Sequence, residues 1–218
     1  MENKEQKYII KNNKSFCLAH IFDCGQCFRW KKQEDGSYTG VFRNNILNVK
    51  KEKETIVFSG ICDGDIKQIV EDYFDLKTDY ETIKEHLSKI DNYLATSIEF
   101  GHGIRILNQD LWEMIISFII SANNNIPRIQ KIIERISKEY GTPIIWKENT
   151  YYTFPTKEQI SKASIEDLRN LGLGFRDKYV YETTKKIINN EINLDILKNT
   201  KDTKKIRDTL ETLPRNRS

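Results

Sequence analysis

Three consecutive asparagines, Asn123 to Asn125, lie between two apolar segments and are followed closely by Arg128. Residues 111–121 are apolar almost throughout, and isoleucines recur at three- and four-residue steps over 126–136, so two helices are predicted. Each asparagine amide brings two donors and one acceptor, which need hydrogen-bonding partners wherever they are buried. One interpretation is a helix-capping loop with Asn125 as the N-cap and a proline in the first turn. The chemistry available here is hydrogen bonding, either to the local backbone or to a ligand.

The four cysteines offer the other candidate chemistry. Cys24 and Cys27 have the C-x-x-C spacing of a redox pair or of half a zinc site. A zinc site needs two further ligands, and Cys17 and Cys62 lack the matching pair spacing. We therefore predict free thiols, with no metal and no cofactor.

The composition bounds the remaining possibilities. The chain has 218 residues, enough for one or two compact units, and its net charge of +3 permits a nucleic-acid partner without requiring one. Residues 1–7 lack the order of a signal peptide, and no apolar run reaches membrane-spanning length. A cytoplasmic protein with no membrane partner is predicted, and the abundance of Ile, Lys and Asn indicates a bacterial source.

The first part of the chain has the pattern of an antiparallel sheet. Its short segments are rich in aromatic and β-branched residues, and Asp35-Gly36 and Asn44-Asn45 in the connections suit hairpin turns. After Gly60 the signals become helical. The predicted strands are 26–31, 38–42, 46–51 and 55–58.

Local capping patterns mark the starts of the predicted helices. In each pattern, a residue with a short oxygen-bearing side chain precedes an acidic or amide residue by three positions. The fold class predicted is α+β, with a small antiparallel β-sheet domain over 1–75 and an all-α domain over 76–218. The capping pairs are Thr78 with Glu81, Asp110 with Glu113, Thr156 with Gln159, and Ser164 with Asp167.

Three separated motifs carry a resemblance to a known family. They occur in order as Cys24-Gly-Gln-Cys-Phe-Arg-Trp30, Phe118-Ile-Ile-Ser-Ala-Asn-Asn-Asn-Ile-Pro-Arg128 and Leu171-Gly-Leu-Gly-Phe-Arg-Asp-Lys-Tyr179. Together they resemble the 8-oxoguanine DNA glycosylases of the helix-hairpin-helix superfamily, and the likeness covers residues 16 to 214. The resemblance implies a small sheet domain followed by an all-α helix-hairpin-helix domain, which is incomplete in this chain.

The resemblance also implies that the chain recognises an oxidised guanine flipped out of duplex DNA. This base differs from guanine by a carbonyl at C8 and a proton on N7, and the family accepts that proton with a glycine carbonyl, here Gly25. The family contacts the orphan cytosine with an asparagine and two arginines, which match Asn123, Arg128 and Arg176. An aromatic ring fills the gap in the stack, and Phe175 holds the position where the family often has tyrosine. The implied partner is double-stranded DNA with the lesion opposite cytosine, bound by a monomer.

The family's catalytic residues have no counterparts in this sequence. In the family, a Leu-Pro-Gly-x-Gly hairpin grips a phosphate, a lysine behind it attacks the sugar C1′ to form a Schiff base, and an aspartate assists. Here Leu213 and Pro214 begin the hairpin, and Arg215 to Ser218 stand in place of the rest. We therefore predict no catalytic residue and no excision by the chain as given, and we hypothesise a one-base frameshift within the hairpin codons.

Two other functions are compatible with parts of the pattern. A non-catalytic module that binds damaged DNA would keep the same five site residues, so those residues do not separate it from a glycosylase. An alkylated-base glycosylase of the same superfamily would share a similar sheet domain. The Gly-Gln-Cys-Phe-Arg-Trp motif and the asparagine triplet favour the 8-oxoguanine family over this second rival.

Overall fold

The computed structural model describes residues 4–11 and 15–214, which fold into two compact units. The first, called the sheet unit, comprises Met1–Gln109 and Trp146–Asn149. The second, called the helical unit, comprises Asp110–Ile145 and Thr150–Ser218. An antiparallel sheet precedes a set of helices along the chain, so the predicted α+β class is confirmed.

The sheet unit is built on a five-stranded antiparallel sheet with the strand order β1-β5-β4-β3-β2. Burial alternates along the last strand, where Ile56 and Phe58 are fully buried and their neighbours are half-buried, because one face of the sheet covers the core. The strands are β1 (Gln6–Ile10), β2 (Trp30–Lys32), β3 (Tyr38–Phe42), β4 (Asn45–Glu52) and β5 (Thr55–Ile61).

β3, β4 and β5 lie where the sequence predicts strands, whereas the first two strands differ. The sequence pattern does not reveal β1, whose Tyr8 pairs with the distant Phe58 of β5. The prediction over 26–31 is wrong except at its end, because the chain turns at Gly25 and stays in loop conformations until Trp30. A short alternating pattern thus does not separate a strand from the loop that leads into it.

The described part of the sheet unit contains four helices, of which the first two pack on its core, whereas the other two bury no residue. Phe22 stacks on Trp30 with 4.3 Å between ring centroids, and Phe58 packs on Phe74 at 5.2 Å. The Trp30 indole N–H donates to the Tyr73 hydroxyl at 3.1 Å, so this buried donor is satisfied. The helices are α1 (Leu18–Phe22), α2 (Ile66–Tyr73), α3 (Tyr80–Ser88) and α4 (Asn92–Phe100).

The sheet unit extends to Gln109, whereas the sequence predicts a boundary near residue 75. Arg105 is 5 % exposed, and its guanidinium donates to the backbone carbonyls of Phe74, Asp75 and Thr78 at 2.9, 2.6 and 3.2 Å. These bonds hold the segment behind α4 against the end of α2. The change from strand to helix along the chain therefore precedes the change from one unit to the other.

The helical unit begins with two helices that supply much of its apolar interior. Ile116 and Ile120 of the first helix are fully buried, and Ile132 and Ile136 of the second are buried at a four-residue spacing. A short β-hairpin that the sequence does not predict follows them, and its tip, Trp146–Asn149, belongs to the sheet unit. The elements are α5 (Leu111–Ser121), α6 (Ile126–Tyr140), β6 (Pro143–Trp146), β7 (Asn149–Tyr152), α7 (Lys157–Ile160), α8 (Ile165–Leu168), a π-type turn (Arg169–Leu173), α9 (Arg176–Ile188), α10 (Leu194–Asn199) and α11 (Thr203–Glu211).

The helix starts show how local signals compete. The side chains predicted as caps at Asp110, Asn125, Thr156 and Ser164 each accept a hydrogen bond from the backbone N–H three residues on, so these four predictions are confirmed. The prediction for Thr78 is wrong, because Asp79 caps α3 and accepts from the N–H groups of Glu81 and Thr82. The Thr78 hydroxyl instead donates to Asp75 Oδ1 at 2.8 Å.

The helices are short in comparison with a membrane span. α6 is the longest one described and has 15 residues. A helix that crosses a bilayer needs about 20 predominantly apolar residues. Across residues 4–11 and 15–214, no helix is both long and apolar enough to cross a membrane.

Candidate nucleic-acid interface

The asparagine triplet forms the loop between α5 and α6, and two of its three side chains hold the loop together. Asn124 Nδ2 donates to the Ile120 carbonyl at 3.0 Å, and its Oδ1 accepts from the backbone N–H of Asn125 at 3.0 Å. Asn125 Oδ1 accepts from the backbone N–H of Arg128 at 3.0 Å and thereby caps α6. The capping interpretation therefore accounts for two asparagines and leaves Asn123.

Asn123 and Arg128 have side chains that are free to bind a ligand. Both residues are exposed, and within residues 4–11 and 15–214 neither side chain makes a hydrogen bond or an ion pair. Asn123 has a φ of 48°, in the left-handed region that asparagine adopts more readily than most residues. The loop therefore presents one amide and one guanidinium to solvent at a backbone bend.

Arg176, in the first turn of α9, is only 2 % exposed, and its guanidinium binds the same loop. Nε and Nη2 donate to the Ala122 carbonyl at 2.9 and 2.5 Å, Nη2 donates to the Asn123 carbonyl at 2.7 Å, and Nη1 donates to the Leu173 carbonyl at 3.3 Å. Burial, and after it the charge of Arg128, lowers the pKa of Arg176, so the two cations are neighbours. Arg176 thus ties α9 to the asparagine loop.

Phe175 directly precedes Arg176 and projects its ring from a turn built on glycines. Gly172 and Gly174 have φ values of 97° and 60°, which side-chain-bearing residues rarely adopt. The Phe175 ring is 47 % exposed, lies 4.3 Å from the Arg176 guanidinium carbon, and meets the Tyr179 ring edge-on at 6.3 Å. An exposed aromatic ring therefore stands directly beside the arginine that holds the asparagine loop.

Asp177 is a functional candidate that the sequence analysis missed. Its carboxylate is fully buried, where Oδ2 accepts from Arg169 Nε at 2.7 Å and Oδ1 accepts from the backbone N–H of Lys178 at 2.5 Å. Phe175 occupies the N-cap position of α9 and makes no capping bond, so Asp177 supplies the acceptor that this helix start needs. An acidic residue in the first turn of a helix without a polar cap was the signal that could have revealed it.

Gly25, the predicted lesion contact, lies in the sheet unit, whereas the other four predicted site residues lie in the helical unit. It follows α1 in a loop and has a φ of 84°, a conformation that favours glycine. The loop is held on one side by Tyr38, whose hydroxyl donates to Asp23 Oδ2 at 2.6 Å. Burial, followed by this bond to Asp23, raises the pKa of the Tyr38 phenol.

The cysteines near this loop differ in exposure. All four cysteines are free thiols, and in the part of the chain that the structure describes, no cluster of His, Cys, Asp and Glu could hold a metal ion. Cys24 is exposed and its thiol points to the Ile21 carbonyl at 3.5 Å, whereas Cys27 and Cys62 are buried. Burial, and after it the charge of Asp65, raises the pKa of Cys62 to about 11.

Thiol alkylation is expected to start at Cys24 and to reach Cys62 last. The thiolate is the reactive form, and a buried thiol with a pKa of about 11 is almost entirely protonated near neutral pH. A time course with iodoacetamide, read by peptide mass spectrometry, measures the order. In denaturant the rates of the two cysteines should converge, and equal rates in the folded protein would contradict the prediction.

Two family descriptions match the chain and together cover nearly all of it. Residues 8–115 match "8-oxoguanine DNA glycosylase, N-terminal domain". Residues 116–214 match "HhH-GPD superfamily base excision DNA repair protein", where HhH stands for helix-hairpin-helix. The two matches together define the class of this protein. It is a helix-hairpin-helix base-excision repair protein.

Individual relatives agree with this class. The chain is 30 % identical over 204 residues to the N-glycosylase/DNA lyase of Saccharomyces cerevisiae, covering 87 % of this chain and 54 % of the yeast protein. It superimposes on the apo crystal structure of the Clostridium acetobutylicum 8-oxoguanine glycosylase/lyase with a TM-score of 0.90 and 40 % identity, over 96 % of this chain and 74 % of that one.

The same clostridial enzyme has also been solved with double-stranded DNA containing cytosine opposite 8-oxoguanine. That structure matches with a TM-score of 0.91 and 40 % identity, over 96 % of this chain and 72 % of that one. The chain belongs to the 8-oxoguanine DNA glycosylase family. It spans about half the length of the curated relatives that it matches.

Proposed function

We propose that this protein recognises 8-oxoguanine opposite cytosine in double-stranded DNA and serves base-excision repair of that lesion. The observation that carries the proposal is the grouping of a free amide, a free guanidinium and an exposed aromatic ring around one loop of the helical unit. Asn123, Arg128 and Phe175 supply these groups, and Arg176 holds the loop. The clostridial relative that was solved with 8-oxoguanine opposite cytosine supports the same partner.

The free groups suit the edge of an unpaired cytosine. Cytosine offers acceptors at O2 and N3 and a donor at its exocyclic amine. In the proposal, the Arg128 guanidinium donates to the two acceptors, and the Asn123 amide oxygen accepts from the amine. Arg176 uses four of its five N–H bonds on backbone carbonyls. In the proposal, the remaining Nη1 N–H donates to the same base.

Phe175 and Gly25 are proposed to contact the gap in the base stack and the lesion, respectively. Phe175 enters the space that the flipped base leaves, because its half-exposed ring can stack on the neighbouring bases. Gly25 offers its backbone carbonyl to the N7 proton of the oxidised base, and the absence of a side chain lets the base approach. Together these contacts would read both members of the damaged pair.

We propose recognition of the damaged pair as the role of the described residues. Relatives are named N-glycosylase/DNA lyase. The nucleophilic lysine that the family resemblance implies would follow the hairpin that begins at Leu213 and Pro214, and we propose no described residue for that role. A non-catalytic module that binds the same damaged pair would use the same recognition contacts. An alkylated-base glycosylase is disfavoured, because residues 8–115 match the 8-oxoguanine family in particular.

The setting that we propose is the nucleoid of a bacterial cytoplasm, where the protein acts as a monomer. The net charge of +3 supports an encounter with DNA in which selective contacts, rather than a strongly basic surface, provide much of the discrimination.

The test compares duplexes that differ only at one base pair. We expect the chain to bind 8-oxoguanine opposite cytosine more tightly than the same lesion opposite adenine or an undamaged G·C pair. Arg128→Ala should lower affinity for the lesion opposite cytosine by about tenfold to a hundredfold, because a good bidentate contact to a base is worth about 1–3 kcal/mol. Fluorescence anisotropy at constant salt measures the dissociation constants.

Lys138→Ala is the matched control for Arg128→Ala. Lys138 is an exposed cation on the same helix, ten residues on and therefore about 15 Å along the axis. Its removal changes the net charge equally and should weaken binding to all duplexes by the same small factor. Equal affinity for cytosine and adenine opposite the lesion, or no effect of Arg128→Ala, would overturn the proposed function.

A further inference from the structure

Gln26, the residue after Gly25, is fixed by hydrogen bonds on every polar group of its side chain. Nε2 donates to the carbonyls of Ile21 and Arg105, both at 2.9 Å. Oε1 accepts from the backbone N–H of Leu107 at 3.0 Å. The side chain therefore bridges the end of α1 and the segment behind α4, all within the sheet unit.

The backbone of Gln26 is held as well. Gln109 Nε2 donates to the Gln26 carbonyl at 2.6 Å. The segment that receives these bonds is itself anchored, because Arg105 donates to three carbonyls near the end of α2 and stacks on the Tyr80 ring at 4.3 Å. The Ile106 N–H also donates to the Tyr80 hydroxyl at 3.0 Å. Gln26 is thus attached to a rigid part of the unit on both its side chain and its main chain.

This attachment has a consequence for Gly25. The peptide group that carries the Gly25 carbonyl joins Gly25 to Gln26, so its orientation depends on the ψ of Gly25 and the φ of Gln26. A glycine has more conformational freedom than any other residue and cannot hold that orientation by itself. Fixing Gln26 restrains this peptide group at its Gln26 end. That restraint compensates for the freedom of the glycine at the other end.

We propose that Gln26 is the positioning residue that aims the Gly25 carbonyl, and that the discrimination of oxidised guanine from guanine depends on it. This inference rests on the proposed function. The N7 of guanine is an acceptor, so a carbonyl directed at it is repelled, whereas the N7 of 8-oxoguanine carries a proton and donates. A single carbonyl therefore both favours 8-oxoguanine and disfavours guanine, provided that its orientation is fixed.

The experiment compares two glutamines that make the same kind of bridge. Gln6 Nε2 donates to the Gly64 carbonyl at 2.9 Å, and its Oε1 accepts from the Ile66 N–H at 3.1 Å, within the same unit but attached to β1. The parent chain, Gln26→Ala and Gln6→Ala are each bound to duplexes carrying 8-oxoguanine, guanine or a tetrahydrofuran abasic analogue opposite cytosine. Urea unfolding reports the stability of each variant.

The expected result is a selective loss in Gln26→Ala. The ratio of affinities for 8-oxoguanine and guanine should fall by about tenfold, the order of magnitude of one neutral hydrogen bond. Binding to the abasic analogue should stay at the parent value, because that ligand has no base for Gly25 to contact. Gln6→Ala should lose stability and keep the parent ratio.

Gln109→Ala is a second variant for the case in which Gln26→Ala does not fold. It removes only the bond to the Gln26 carbonyl and should lower the same ratio by a smaller factor. A parent ratio retained in both variants, or an equal fall in Gln6→Ala, overturns the positioning role and leaves the proposed function standing. A parent chain that does not distinguish 8-oxoguanine from guanine overturns the proposed function, and the positioning role with it.

Discussion

Replacing Arg176 by alanine is expected to lower the stability of the protein and its selective binding of damaged DNA together. The side chain is 2 % exposed and donates four hydrogen bonds to the carbonyls of Ala122, Asn123 and Leu173. Hydrogen bonds from charged donors contribute about 1.5–3 kcal/mol each, but Ala122 and Asn123 are exposed and water can replace part of this. We expect a loss of about 3 kcal/mol in the free energy of unfolding.

The loss of binding in Arg176→Ala follows from the loop that this residue holds. Without the guanidinium, the left-handed backbone at Asn123 loses its hydrogen bond to the first turn of α9, so the Asn123 amide and the Phe175 ring are expected to lose their relative placement. We expect binding of the lesion opposite cytosine to weaken by about tenfold to a hundredfold, as for the loss of a good base contact of about 1–3 kcal/mol. Urea unfolding and anisotropy titration of the same preparation measure the two effects.

Arg128→Ala separates the two roles of the arginine pair. The Arg128 side chain makes no hydrogen bond or ion pair with the residues that the structure describes, and its charge lies near that of Arg176. Its removal should therefore leave the free energy of unfolding within about 0.5 kcal/mol of the parent value while binding weakens. If Arg128→Ala and Arg176→Ala lowered the free energy of unfolding equally, it would be wrong to assign a structural role to Arg176 alone.

Asp177→Ala is expected to destabilise the helical unit by about 2 kcal/mol, because it removes two hydrogen bonds of a fully buried carboxylate. The Lys178 N–H would lose its acceptor, while Arg169, whose side chain is 58 % exposed, would remain hydrated. Because Arg169 remains hydrated, the loss of stability should be smaller than for a fully buried ion pair from which one partner is removed. Urea unfolding, followed by circular dichroism, measures the change.

Asp177→Ala should also affect the placement of Phe175. The bond between Arg169 and Asp177 closes the turn that carries this ring, so its loss loosens the turn. A fluorescent base such as 2-aminopurine beside the lesion reports the unstacking that the ring causes. We expect a smaller fluorescence increase on binding, and about fivefold weaker affinity for the lesion opposite cytosine, the effect of about 1 kcal/mol.

Asp167→Ala is the matched control for Asp177→Ala. Asp167 is an exposed carboxylate in the first turn of α8, where it accepts from the Ser164 N–H at 2.8 Å. Loss of a capping contact costs about 0.5–2 kcal/mol, so stability should fall while the fluorescence increase stays at the parent value. A reduced fluorescence increase in both variants would mean that Asp177 has no particular connection to the aromatic ring.

Features encoded within a few residues could be predicted from the sequence. The caps at Asp110, Asn125, Thr156 and Ser164 depend on a side chain and a backbone N–H three positions apart, and all four occur as predicted. At Thr78 the same rule fails, because a carboxylate at the next position competes for the same N–H groups. Local rules therefore predict the presence of a cap reliably. They are less reliable in predicting which of two neighbouring residues provides it.

Features that join distant parts of the chain could not be predicted in the same way. β1 exists because Tyr8 and its neighbours pair with β5, and a five-residue segment carries little sign of that partner. The extent of the sheet unit depends on Arg105, which reaches the carbonyls behind α2. No periodicity in the sequence reports a hydrogen bond between a side chain and a distant backbone carbonyl.

The candidate site also combines features that are encoded locally with features that depend on distant parts of the chain. The family, the order of sheet and helices, and five candidate residues could be predicted from the sequence, because motifs carry residue types at short spacing; the candidates are Gly25, Asn123, Arg128, Phe175 and Arg176. The folded structure was needed to show that the Asn123 and Arg128 side chains are exposed, that Arg176 is buried against the asparagine loop, and that Gln26 and Asp177 bond to distant groups. These distinctions depend on burial and on bonds to carbonyls far along the chain, and both arise only when the chain has folded.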